Sequence, residues 1–140
     1  MILSKEFKFA VCIFIGLSLT GCSHVKEFTK KLWGSSTRAL EDARIDAIRK
    51  SFACRYEDCF DEVLKIVKEE NLYVFIKDKM REHIVLLEVP GSVDTTEVGI
   101  FFTDYDDQTR VDISSLSEQA RITVAGIVFP KLSKVYAEVQ

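Results

Sequence analysis

The chain has two histidines, His24 and His83, among 140 residues. It has no glycine-rich phosphate loop, no Gly-x-Ser-x-Gly elbow and no His-Glu-x-x-His helix. The chemistry those motifs carry, namely cradling of nucleotide phosphate, attack by an activated serine and zinc hydrolysis, therefore has no recognisable residues to rest on. Positive charge is scarce as well. With 19 Lys and Arg against 22 Asp and Glu, the net charge is −3, and no basic stripe is available to follow a phosphate backbone, so nucleic acid is not an expected partner. Long apolar runs are also missing: the longest, Phe9 to Leu19, stops short of the about 20 residues that a bilayer-spanning helix needs.

What is present begins at the amino terminus. Lys5 and Lys8 make a positive start, and Phe9 to Leu19 is apolar apart from Gly16 and Ser18. That order of charge and short apolar core predicts a removable signal segment over residues 1–21. It ends in Leu19-Thr20-Gly21-Cys22, which resembles the lipobox of bacterial lipoproteins. The resemblance implies cleavage between Gly21 and Cys22, a diacylated Cys22 thiol and an acylated new amino group. Two acyl chains hold a protein stably on a membrane, each buried methylene contributing about 0.8 kcal/mol. By the same likeness, Ser23 in place of Asp after the cysteine implies the outer membrane, facing the periplasm.

Four cysteines are present. Cys12 falls in the leader and Cys22 is the lipid candidate, which leaves Cys54 and Cys59 for an oxidising compartment. Their spacing across an expected strand-to-helix turn permits a disulfide, whose short loop would contribute about 2 kcal/mol in the chain-entropy model. Two buried thiols are the other reading. A redox pair would want Cys-x-x-Cys, and a zinc site two more ligands than the histidines supply.

Beyond the cysteine, Lys26, Lys30 and Lys31 alternate with Val25, Phe28, Leu32 and Trp33 before Gly34-Ser35-Ser36. This is either a short amphipathic segment for a headgroup surface or a plain tether. Residues 22–48 are accordingly expected to be a lipidated tether with a short helical piece around Leu40, Ala43 and Ala47, and residues 49–140 a single domain. Ile48, Phe52 and Cys54 alternate as in a strand. Asp58 is placed to cap a helix whose apolar face is Phe60, Val63, Leu64 and Val67, with Asn71 as its stop.

Four strands should follow, over Leu72 to Ile76, Ile84 to Val89, Glu97 to Thr103 and Thr109 to Ser115, separated by turn residues. In the last, Val111 and Ile113 point one way and Arg110, Asp112 and Ser114 the other, the pattern of a sheet with one buried and one wet face. Ser117-Glu118 starts a terminal helix with the stripe Ala120, Val124, Ile127, Val128, Leu132 and Val135, which Pro130 should kink or split.

The order β-α-β-β-β-β-α predicts an α+β fold, an antiparallel sheet covered on one face by helices. Over roughly Arg49 to Val139 it resembles the helix-grip arrangement. It is also similar to the small lipoprotein domains of envelope assembly, including the BamC accessory lipoprotein of the outer-membrane barrel-assembly machine. The resemblance implies a non-catalytic structural or interaction module with an envelope partner.

The alternative is a binder of lipid or a small apolar ligand between sheet and terminal helix, in a pocket of Phe75, Ile100, Phe102 and Val128. Core is the favoured reading of those residues, since a domain of this size needs them in order to fold. His83, with Glu82 and one of Ser114, Ser115 or Ser117, lacks the spacing of a triad. Asp104, Asp106 and Asp107 lack the glycine and glutamate of a calcium loop and read as turn residues. No catalytic residue, metal or cofactor is expected, and the oligomeric state is left open.

Overall fold

The computed structural model describes residues 37–140, which form one compact unit from Thr37 to Gln140. Residues 37–42 are helical (α1) and run into a 3-10 turn, Ala43–Asp46. Then come β1 (Ile48–Phe52), α2 (Tyr56–Glu69), β2 (Tyr73–Asp78), β3 (His83–Leu87), β4 (Val98–Asp104), β5 (Thr109–Ser114), α3 (Glu118–Val135) and a short β6 (Glu138–Val139). The expected α+β order is present, with β6 added behind the last helix. The compact unit starts ahead of the expected Arg49 boundary, because residues 37–46 pack on the sheet.

The sheet is antiparallel with the order β2-β3-β4-β5-β1-β6. Helix α2 therefore carries the chain from β1 to the far edge, and the meander β2 to β5 brings it back. Tyr56 opens α2. Asp58 is not its cap: the N-cap is Arg55, whose guanidinium pairs with Asp58, while Glu57 and Asp58 sit in the first turn, where the helix dipole favours acids. Asn71 does stop the helix. It lies at φ 56, and Asn71 N–H to Lys68 O with Leu72 N–H to Val67 O complete a Schellman end. Ser117 caps α3 by accepting from Ala120 N–H.

Pro130 neither splits nor ends α3, which runs unbroken to Val135. Pro130 and Gly126, the residue whose carbonyl loses its partner, are both exposed, so that carbonyl faces water and not the core. The apolar stripe of α3 is buried at Ala120, Val124, Val128 and Leu132, partly buried at Ile127, and leaves Val135 half exposed.

One face of the sheet packs on α2 and α3. Ile84, Leu86, Val98, Ile100, Phe102, Val111 and Ile113 meet Phe60, Val63, Val67, Val124, Val128 and Leu132 there. The other face is not uniformly wet. Its centre holds a second cluster of Leu40, Val85 and Phe101 flanked by Phe75 and Ile76. A bulge creates part of it: the register shifts between Val74 and Ile76, so Phe75 is extra and Ile76 turns away from the face that simple alternation with Val74 assigns it. At Gly99 the ring of Phe101 folds back so closely that an added Cβ would lie 2.5 Å from its Cε2. Only glycine leaves that room.

Residues 37–46 are clasped to this face by polar groups. Asp112, 1 % exposed, accepts from Arg44 Nη2 at 2.8 Å and Arg110 Nε at 2.9 Å, with Arg49 Nε at 3.9 Å. Ser114 Oγ donates to Leu40 O at 2.6 Å, and the Arg44 guanidinium lies 4.7 Å from the centre of the Phe101 ring. A buried carboxylate is tolerated because its lone pairs are filled.

Candidate functional site

The expected lipidation site, Cys22 with its cleavage partner Gly21, lies outside the described residues, as does the basic amphipathic stretch around Lys26 to Trp33. Within them, no helix is long and apolar enough to cross a membrane, and no group of three His, Cys, Asp or Glu residues is placed to hold a metal.

Cys54 and Cys59 are brought together, but as free buried thiols and not as the expected disulfide. Cys54 lies in the bend after β1 and Cys59 in the first turn of α2. Burial raises the pKa of both, and the hydrogen bond between the thiols raises Cys59 further. Thiolate, the species that forms disulfides, is therefore disfavoured at both sulfurs.

The neighbouring Tyr56 hydroxyl donates to Lys79 O. Burial, then the carboxylates Glu82, Glu57, Asp78 and Asp61, push its phenol up to about 12. All three groups hold protons in the folded state that the unfolded chain releases, at about pH 8.5 for thiols and about 10 for tyrosine. The stability they lend is complete below pH 8.5 and is lost as pH rises through the folded values. Urea midpoints should fall between pH 8 and 11, and Tyr56→Phe should flatten the part above about pH 10. A wild-type curve level across that range would refute the buried, proton-holding environment.

The possible triad is not assembled. His83 is buried against Phe101, ring centres 5.9 Å apart, with Nδ1 on Arg81 O. Ser114 donates to Leu40 O, Ser115 to Glu97 O, and Ser117 caps α3. Asp104 Oδ1 accepts from Asp106 N–H in an exposed turn, a local bond that explains the acidic run without a cation.

The pocket of the alternative reading, between sheet and terminal helix, is filled. Ile100, Phe102 and Val128 belong to the main core, and the Phe102 ring lies 5.1 Å from that of Phe60. Phe75 sits on the opposite face, where strand alternation with Val74 puts it.

An open groove of about 590 Å³ lies elsewhere, lined by Ala39, Asp42, Ala43, Ile45, Asp46, Ser115, Leu116, Glu118 and Arg121. One wall is α1 and its 3-10 extension, where residues 39, 42, 43 and 46 follow helical spacing and share a face. The other is the β5–α3 loop with the first turn of α3. Two aliphatic side chains stand at it almost wholly in solvent: Ile45 is 84 % exposed and Leu116 80 %. Asp42, Asp46 and Glu118 take part in no ion pair among the described residues. Arg121 Nε is buried with no hydrogen-bond partner among the described residues.

No family model matches this chain, and no curated protein does. The groove must be read from its own chemistry. Among the described residues that line it there is no nucleophile with an adjacent base and no paired acid and base at hydrogen-bond distance, the arrangements that covalent and acid–base catalysis require. What it offers is apolar area that water covers poorly, framed by charge, the composition of a recognition surface. Sequence reading did not find it. The signal available was weak: Leu116 is one aliphatic residue among Ser114, Ser115 and Ser117, and Ile45 falls off the Leu40–Ala43–Ala47 stripe.

Proposed function

We propose that this chain is a lipid-anchored envelope lipoprotein, held through Cys22 at the periplasmic side of the outer membrane, whose folded domain is a non-catalytic interaction module. The groove between α1 and α3 is its docking surface. The observation that carries the docking role is the pair Ile45 and Leu116, two aliphatic side chains that stand exposed at the same groove. The lipid anchor is supported by Leu19-Thr20-Gly21-Cys22 behind a short apolar leader. The alternative, an apolar ligand between sheet and terminal helix, has less support, since the residues that would line that pocket are packed as core.

Two experiments test this. Cys22→Ala should abolish acyl labelling and release the protein from the membrane; retention without label would mean another anchor. A photo-crosslinking benzoylphenylalanine in place of Leu116, in intact cells, should give one discrete adduct. The same group in place of Met80, 96 % exposed in the β2–β3 turn at the other end of the sheet, should give none. Equal labelling at both sites, or no adduct at Leu116, would overturn the docking role.

A further inference from the structure

We infer that the occupant of this groove is a cationic, aliphatic helix of a partner protein, with a branched aliphatic side chain seated between Ile45 and Leu116 and basic side chains against Asp42, Asp46 and Glu118; this rests on the interaction-module reading above. Three carboxylates that take part in no ion pair among the described residues stand around one groove. Arg121 and the positive end of α3 offset them only in part, since a helix terminus is worth about half a charge. An unpaired acidic rim disfavours carboxylate-bearing lipids and anionic headgroups, because like charges brought together out of water repel.

The same rim argues against a second copy of this chain. An isologous contact would oppose Asp42, Asp46 and Glu118 to themselves, in a protein that already carries net negative charge. A basic partner meets no such cost. It also supplies an acceptor-rich neighbourhood with donors, and lysine or arginine at a half-exposed rim sets specificity and encounter rate.

The spacing favours a helix. Asp42 and Asp46 stand at the two ends of the 3-10 turn on their wall, so two basic residues on one face of an opposing helix can each meet one of them. The aliphatic pair supplies the single seat that helix-in-groove recognition uses for an anchor residue. A groove of about 590 Å³ admits a few side chains of such a helix and not a whole one, so the partner helix would lie along the opening with one face inserted.

The probe for the test is a fluorescein-labelled 14-residue helix of alternating Leu and Lys faces, with Glu replacing Lys in its counterpart. Fluorescence anisotropy with the purified full chain at physiological salt should show the Lys peptide bound and the Glu peptide unbound. The triple variant Asp42→Asn, Asp46→Asn, Glu118→Gln should weaken the Lys peptide at least tenfold while its unfolding midpoint stays within the wild-type error. Asp42→Glu with Asp46→Glu should restore most of the affinity. Leu116→Asp should also abolish binding, through its aliphatic seat.

Lys-peptide affinity unchanged in the neutralised triple, or equal affinity for both peptides, would overturn the inference. The two failures separate. A partner adduct at Leu116 in cells whose crosslinked segment is acidic or uncharged rejects the cationic occupant and leaves the docking role. Absence of any cellular adduct rejects the docking role itself and, with it, this inference.

Discussion

Phe102→Ala is expected to lower the stability of the domain by about 3 to 5 kcal/mol, the cost of truncating a buried aromatic that leaves a cavity behind it. The ring is 3 % exposed and lies between Tyr56, 6.0 Å away centre to centre, and Phe60, at 5.1 Å. Those two residues are on α2 and Phe102 is on β4, so the ring is the joint between helix and sheet. Against a total stability of about 5 to 15 kcal/mol, the loss would leave a marginal fold. The same substitution separates two functions. A residue lining a ligand pocket can be truncated with modest effect on the empty protein, whereas a core residue cannot. Urea denaturation at pH 7 measures it, and a loss under about 1 kcal/mol would mean that the space beside Phe102 is a pocket after all.

Asp112→Ala is expected to cost about 3 kcal/mol, near the low end for removing one member of a buried ion pair. The carboxylate is 1 % exposed, but Arg44 and Arg110, which it binds, are 30 % and 33 % exposed and can turn to water when it is gone. Arg49 supplies the contrast. Its Nε is 3.9 Å away and its side chain 46 % exposed, so Arg49→Gln should change stability by less than about 0.5 kcal/mol, as surface pairs do.

The Asp112 variant also has a local signature. Arg44 is the charged link among those that hold residues 37–46 on the sheet, and those residues form one wall of the groove. Amide exchange in that stretch should rise before the sheet opens, and the Leu116 adduct should fall in proportion. Loss of stability with α1 still protected would show that Leu40 and its apolar neighbours, not the charge clasp, hold the wall in place.

The fold was legible wherever local pattern and burial agree. Alternation in Val111 and Ile113 marked a strand, Ser117-Glu118 marked a helix start and Asn71 a helix end, and each element stands where it was expected. Local pattern misled where the environment differed from the one it assumes. Arg110, Asp112 and Ser114 read as a wet face because they are polar; Asp112 and Ser114 are covered because a segment some 70 residues earlier in the chain lies over them, while Arg110 stays a third exposed. Leu72, Val74 and Ile76 read as one face, and an inserted Phe75 turns Ile76 to the other. Asp58 read as a cap by residue type, although Arg55, one helical turn earlier, holds the backbone conformation of the N-cap.

The sequence by itself determined the order of elements, the apolar core under α2 and α3, and the leader with Leu19-Thr20-Gly21-Cys22 that motivates a membrane anchor. These are written in contiguous residues, through periodicity, charge and capping chemistry, and so can be read without coordinates. Only the tertiary structure decided that Ile45 and Leu116 share one groove, that three acids with no ion pair among the described residues frame it, and that the residues of the alternative ligand pocket are packed as core. Proximity between residues distant in the chain depends on how the sheet curves and what lies across it, and no local pattern records that.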